Sequence, residues 1–245
     1  MSEGQGRNRS AEAYEAIREG ILAGLHPPRA RLRMDLLSEA HGASLGAVRE
    51  ALVRLTSEGL LFADPPKGFV VASISRRDLL DLTETRIELE KRCLRLSIRA
   101  GDIAWEGRVV SSLHKLVRTP LHAGPDELSR EWSRAHKAFH DALVSACDSR
   151  WRMRLRDQLF LHAERYRRFT VPYRSAMRDV DAEHKSIADA ALARDADLAA
   201  ERLADHLRLT AALLCNSGAP FDDASLGAGE SAHSGEFDAA ESTTN

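Results

Sequence analysis

A mainly α-helical chain is what this sequence predicts: an N-terminal winged helix-turn-helix with a two-stranded hairpin, then an all-α antiparallel bundle of six to seven helices. Three observations carry the expectation. Short helical patterns broken by glycine and proline run from residue 11 to residue 59. Two β-prone runs follow at 60–63 and 69–72. From Arg76 to Cys215 the strand signal disappears and apolar residues recur at helical spacing.

Taken in order, Ala11–Ala23 places Tyr14, Ile17, Ile21 and Leu22 on one helical face, and Gly24 with Pro27-Pro28 ends it. A second short helix fits Met34–His41 and closes at Gly42. Ser44 is a good N-cap for a third, in which Val48, Ala51, Leu52 and Leu55 form the inner face. Asp64-Pro65-Pro66-Lys67-Gly68 then turns a hairpin. Six helices follow, at about 76–100, 104–118, 126–147, 151–169, 174–193 and 195–215. The expected organisation is a flexible N-terminus (1–10), a winged helix-turn-helix domain (11–75), an all-helical domain (76–215), and a disordered acidic tail (216–245).

Composition narrows the function. Hydrophobic residues make up 43% and charged residues 29% of the 245, enough for real cores. No run approaches the ~20 apolar residues of a membrane helix, and the N-terminus lacks the apolar core of a secretory signal. Cys93, Cys147 and Cys215 are too dispersed for a disulfide framework. The expectation is a cytoplasmic protein without membrane partners. The net charge of −2 is set by the tail: without its six acids the remainder is +4.

In a winged helix-turn-helix the second helix enters the major groove by its N-terminal end. With Val48, Ala51, Leu52 and Leu55 packed inward, Leu45, Gly46 and Arg49 face outward beside Ser44. Arg49 can grip a guanine through O6 and N7. Arg33, Lys67 and Gly68 are further candidates for DNA contact. The plainer alternative pairs Arg49 with Glu50 or Glu58, and residues 1–75 do carry nine basic and nine acidic side chains.

The segment AYEAIREGILAGLHPPRARLRMDLLSEAHGASLGAVREALVRLTSEGLLFADPPKGFVV resembles the DNA-binding domain of GntR-type bacterial regulators, through Gly24, Pro28, Leu32, Ser44, Val48–Leu52, Leu55, Glu58–Leu60 and Gly68. The resemblance implies that Arg49 reads a base and that the wing around Lys67 and Gly68 touches DNA. This chain has Asp35 and Leu45 where the family commonly has arginine, which implies an atypical operator or affinity.

Within the helical region, His136 and His140 stand at i and i+4 on the face of Trp132, Leu143 and Cys147. His184 leads the face of Ile187 and Ala191, and His206 lies among Leu203, Leu209 and Leu213. All four point into the bundle, where ligands from facing helices can converge on a metal; hydrogen-bonded core histidines are the alternative. His162 sits on a stripe with Trp151, Leu155, Tyr166 and Phe169. Arg86 is a charge within the stripe Leu79, Leu82, Leu89, Cys93, partnered either by Glu90 at i+4 or by a carboxylate ligand.

HKAFHDAL and EHKSIADAALARDADLAAERLADH resemble the ligand-binding (FCD-type) domain of the FadR branch of those regulators. The resemblance puts a metal motif on His136, His140, His184 and His206, and an anion-binding arginine on the helix of Arg86. The first metal position is most often aspartate in that family. With four imidazoles, a divalent transition metal such as zinc or nickel is expected over magnesium or calcium. The reading is a repressor: a homodimer on double-stranded operator DNA, controlled by a small organic acid bound through the metal and Arg86, with Arg165, Tyr166 and His162 beside it. A helical-bundle metalloenzyme, or a regulator without metal, is the alternative.

Overall fold

The computed structural model describes residues 3–64, 68–124, 127–170 and 178–223, with side chains from Arg9 onward. Three helices, α1 (Glu3–Leu22), α2 (Met34–His41) and α3 (Leu45–Ser57), and three strands, β1 (Arg31–Leu32), β2 (Leu61–Asp64) and β3 (Gly68–Val71), form the N-terminal unit. Ser44 caps α3 by accepting the Ala47 amide at 3.2 Å, and Gly42 ends α2 at φ 58°, a conformation costly for residues with a side chain. Tyr14, Ile17, Ile21, Leu37, Val48, Leu52, Leu55 and Leu60 make one core. Burying each such side chain is worth roughly 1.5–3 kcal/mol, which is what holds the short helices in place.

The structure changes two expectations. The wing is three-stranded, in the order β1-β3-β2: Arg31 and Leu32 pair antiparallel with Val70 and Phe69, a partner too short to leave an alternating pattern. The backbone is helical from Glu3, ahead of residue 11 where the apolar pattern starts. Lys67, expected to touch DNA, lies outside the described residues.

The bundle consists of α4 (Arg76–Ala100), α5 (Ile103–Arg118), α6 (Arg130–Val144), α7 (Arg150–Thr170), α8 (Val180–Leu192) and α9 (Ala196–Cys215). Leu94, Trp105, Val109, Phe139, Leu143, Ile187 and Leu203 fill its core. A short strand, β5 (Glu127–Leu128), stands where helix was expected from residue 126 and pairs antiparallel with β4 (His122–Gly124); Ser129 caps α6 by accepting the Trp132 amide hydrogen and so sets its start. The helix expected from residue 174 begins at Val180, and 171–177 lie outside the described residues.

The tail expectation changes in part. Residues 216–223 fold back: Ala219 is buried, the Asp222 amide donates to the Ile74 carbonyl at 2.8 Å, and the Arg76 amide donates to Asp223 at 2.9 Å. The acids of this stretch thus meet basic groups at the domain junction, Arg29 among them. Residues 224–245 lie outside the described residues. No described helix is long and apolar enough to cross a membrane.

Candidate functional site

Helix α3 presents Ser44, Leu45, Gly46 and Arg49 on an exposed face. Arg49 forms no ion pair among the described residues. Its expected competitors are engaged elsewhere: Glu50 accepts from Ser10, and Glu58 accepts from Tyr14 at 2.7 Å and from Arg54. Arg33 is different, because Asp35 holds its guanidinium, so a contact from Arg33 to phosphate would first have to release that pair. Gly68 stands at the wing with φ 82°.

In the bundle, α6, α8 and α9 bring His136, His140, His184 and His206 together, all buried, with ligand atoms within 4.8 Å of one another. The His184 and His206 ring centroids are 4.7 Å apart. Two metal–nitrogen bonds of ~2.0–2.1 Å bridge about 4 Å, so modest ring rotations close the set. The polar atoms test whether a cation fits. Both ring nitrogens of His184 and Nδ1 of His140 are buried without a hydrogen-bond partner among the described residues. Buried polar atoms are rarely left so, and a cation supplies the missing partner. His206 Nδ1 stands 2.9 Å from Glu183 and 3.2 Å from Arg178; the nearer carboxylate can only accept, so Nδ1 carries the hydrogen and the Nε2 lone pair is left for the cluster, as carboxylates behind metal-ligating histidines do.

Burial pushes all four imidazoles down, helped at His136 by Arg167, at His140 and His184 by neighbouring histidines, and at His206 by Arg178. His206 falls to about 4 although Glu183 opposes the shift. All four are therefore neutral at pH 7, the form that ligates metal. In the metal-free protein this sets a pH dependence. An unfolded chain protonates its histidines near 6.5, and folded His206 only near 4. Stability is complete above pH 6.5 and falls as pH drops through that window, by about 3 kcal/mol for His206 alone. Chelator-treated protein should melt several degrees lower at pH 5 than at pH 7.5, measured by scanning calorimetry, and an unchanged midpoint would show the rings to be already paired.

Beside the cluster lies a cavity of about 40 Å³ whose wall includes Arg86, Trp132, His136, Arg167, Arg178 and His206. That is room for about three waters, so an organic acid needs the wall to yield. Arg86, Arg167 and Arg178 each already have a carboxylate, in Glu90, Glu164 and Glu183. With the guanidiniums locally neutralised, a divalent cation among uncharged imidazoles would leave a positive site for an anion.

Sequence and structure part company at three expected effector contacts. His162 meets the Glu58 carbonyl at 2.9 Å, Arg165 donates to the Ala72 carbonyl, and Tyr166 bonds Asp78 and the backbone of Ser75. These side chains grip the N-terminal unit and the junction, away from the cavity. The stripe that grouped His162 with Tyr166 also fails in its first half, since Trp151 and Leu155 are exposed while Arg156, Phe160, Glu164 and Arg167 are buried. Arg86 has the plain partner, Glu90, at 3.3 Å, while also lining the cavity. The sequence reading does not reach Arg167, Arg178, Arg156 and Glu183. A 3,4 spacing through Arg156, Phe160 and Arg167 was available as a signal, hidden because α7 carries arginine on every face.

A winged helix-turn-helix joined to a helical pocket domain defines a class, that of DNA-binding transcription regulators. Residues 9–71 match the gntR family of bacterial regulatory proteins, and residues 81–209 match the FCD domain. The chain is 39% identical over 201 residues to the uncharacterized HTH-type transcriptional regulator BphR of Paraburkholderia xenovorans, covering 79% of this chain and 80% of that one. It is 34% identical over 202 residues to the HTH-type transcriptional repressor GlaR of Escherichia coli, covering 81% and 92%. Among solved structures, E. coli McbR/YncC superposes with a TM-score of 0.69 at 21% identity, covering 85% of this chain and 97% of that one, a likeness of fold. The chain belongs to the GntR family, in its FCD-bearing FadR branch, and is a DNA-binding transcription regulator. Its relatives are named as regulators, which argues against the alternative of a bundle metalloenzyme.

Proposed function

We propose that this regulator is a repressor that grips a palindromic operator as a homodimer, and that a small organic acid controls the grip from a metal site in the bundle. The observation that carries the reading is the convergence of four buried histidines, with orphaned ring nitrogens, beside a cavity walled by three arginines. His136, His140, His184 and His206 would hold a transition metal, zinc or nickel, which when bound supplies a Lewis-acidic contact for a carboxylate. Arg86 would orient that carboxylate, once freed from Glu90. The cytoplasm is the compartment that fits.

The DNA half of the proposal uses Ser44, Leu45, Gly46 and Arg49 at the start of α3, with Gly68 and the neighbouring Lys67 at the wing. Two-fold protein symmetry matches two half-sites. Repression is supported by the name of the GlaR relative, itself called a repressor. The effector would act by binding more tightly to a dimer arrangement that no longer fits the operator.

The test pairs two measurements. Zinc or nickel followed by a panel of small carboxylates should raise the melting temperature in sequence, and the effective acid should release protein from DNA of its own promoter. Arg49→Ala should lower operator affinity about 10- to 100-fold, since a bidentate guanine contact is worth ~1–3 kcal/mol, while the melting temperature stays put. An unchanged footprint for that variant would remove Arg49 from the interface.

A further inference from the structure

We propose that Arg167 is a gate that couples occupation of the histidine cluster to the docking of the DNA-binding unit; the proposal rests on the metal reading above. A guanidinium can only donate hydrogen bonds. Arg167 Nη1 stands 2.7 Å from His136 Nδ1, so that nitrogen accepts and the neutral ring carries its one proton on Nε2. His136 Nε2 is 3.1 Å from His140 Nε2, which therefore accepts in turn. The lone pairs of both rings are thus taken by hydrogen bonds.

A neutral imidazole has one lone pair, and a ring that ligates a cation keeps an N–H at its other nitrogen. His136 cannot ligate and accept from Arg167 together. If Nδ1 ligates, the guanidinium is displaced outright. If Nε2 ligates, the proton moves to Nδ1 and confronts the Arg167 N–H. In both cases Arg167 leaves, and a nearby divalent charge repels it further.

Its second attachment leads out of the site. Arg167 pairs with Glu164 at 2.5 Å, and Glu164 also accepts from Arg168 Nε at 3.1 Å. Arg168 Nη1 donates to Glu19 at 2.7 Å, and Glu19 belongs to α1 of the DNA-binding unit. Detached from His136, Arg167 turns its whole charge on Glu164 and weakens that carboxylate's grip on Arg168 Nε, the contact that orients Arg168 toward Glu19, so the hold on α1 loosens to the pair of Glu19 with Arg130 of α6 at 3.2 Å. The neighbouring residues of α7, His162 and Arg165, bind Glu58 and Ala72 of the same unit, so the helix that senses the cluster is also the one that docks the reader.

The experiment uses the full chain and zinc alone. Calorimetry should show Arg167→Met binding zinc about 10-fold or more tightly than wild type, because the competing charge-assisted bond is gone. Methionine retains apolar contact with Phe160 and Trp132, over which the guanidinium now lies. Hydrogen exchange gives the second readout: zinc should speed exchange of α1 amides in wild type, and leave it unchanged in Arg167→Met and in Glu19→Gln, where docking is already loose. The partly exposed Glu19 keeps the test alive should the buried variant fail to fold. Equal zinc affinity in wild type and Arg167→Met, or wild-type α1 exchange indifferent to bound zinc, overturns the gate and leaves the metal site standing. No zinc binding by wild type overturns the metal reading, and the gate with it.

Discussion

Replacing His140 with alanine is expected to lower zinc affinity by at least about 100-fold and to abolish the rise in melting temperature that zinc gives the wild-type protein. The magnitude follows from the structural zinc scale of ~10–16 kcal/mol, which divided among four ligands is about 3 kcal/mol each. His140 is the ring to remove because its role is otherwise so poor. Among the described residues its Nε2 hydrogen-bonds His136 alone, and its Nδ1 is buried with no partner. A histidine kept for packing would have that nitrogen satisfied. The two explanations separate cleanly: if zinc stabilises His140→Ala as much as wild type, and the variant merely melts earlier, the four rings are core residues.

The same pairing of partner and orphan explains what could be seen in the sequence. The i, i+4 spacing of His136 and His140, with apolar neighbours on their face, was enough to turn both inward, because a helix fixes which residues share a face. Ser44 and the 3,4 pattern after it likewise located α3 and its outward Arg49. Where the reading failed, charge and hydropathy pointed in opposite directions. Helix α7 buries Arg156 and Arg167 and exposes Trp151 and Leu155, so the apolar pattern selected the wrong face and carried His162 and Tyr166 toward the effector pocket with it. Buried arginines become intelligible only when their acids arrive from other elements, as Glu90 on α4 and Asp141 on α6 do for Arg156. Strand β1 was too short to leave a pattern, and acids 222 and 223 looked like solvated tail because Arg29 and Arg76, which receive them, are remote in sequence.

Glu90→Ala is expected to cost about 3–5 kcal/mol of stability, read as a fall of roughly 10 °C in melting temperature of the metal-free protein. Glu90 is 1% exposed and serves two buried guanidiniums, Arg86 at 3.3 Å and Arg156 at 2.9 Å. Arg156 keeps Asp141 at 2.6 Å, whereas no other ion pair holds Arg86 among the described residues. Burial already pulls Arg86 down to about 10, with Glu90 opposing that shift and the charges of Arg167 and Arg156 adding to it, so losing the carboxylate leaves a charge with repulsion on two sides. Glu90→Gln should cost less, since an amide oxygen still accepts a hydrogen bond. The loss also decides between the two partners proposed for Arg86. If the arginine serves the cavity it lines, small carboxylates should stabilise Glu90→Ala more than wild type, because an added anion then enters without having to displace Glu90. Equal or no stabilisation of the two proteins would leave Arg86 as half of an internal ion pair and move the anion site to Arg167 and Arg178.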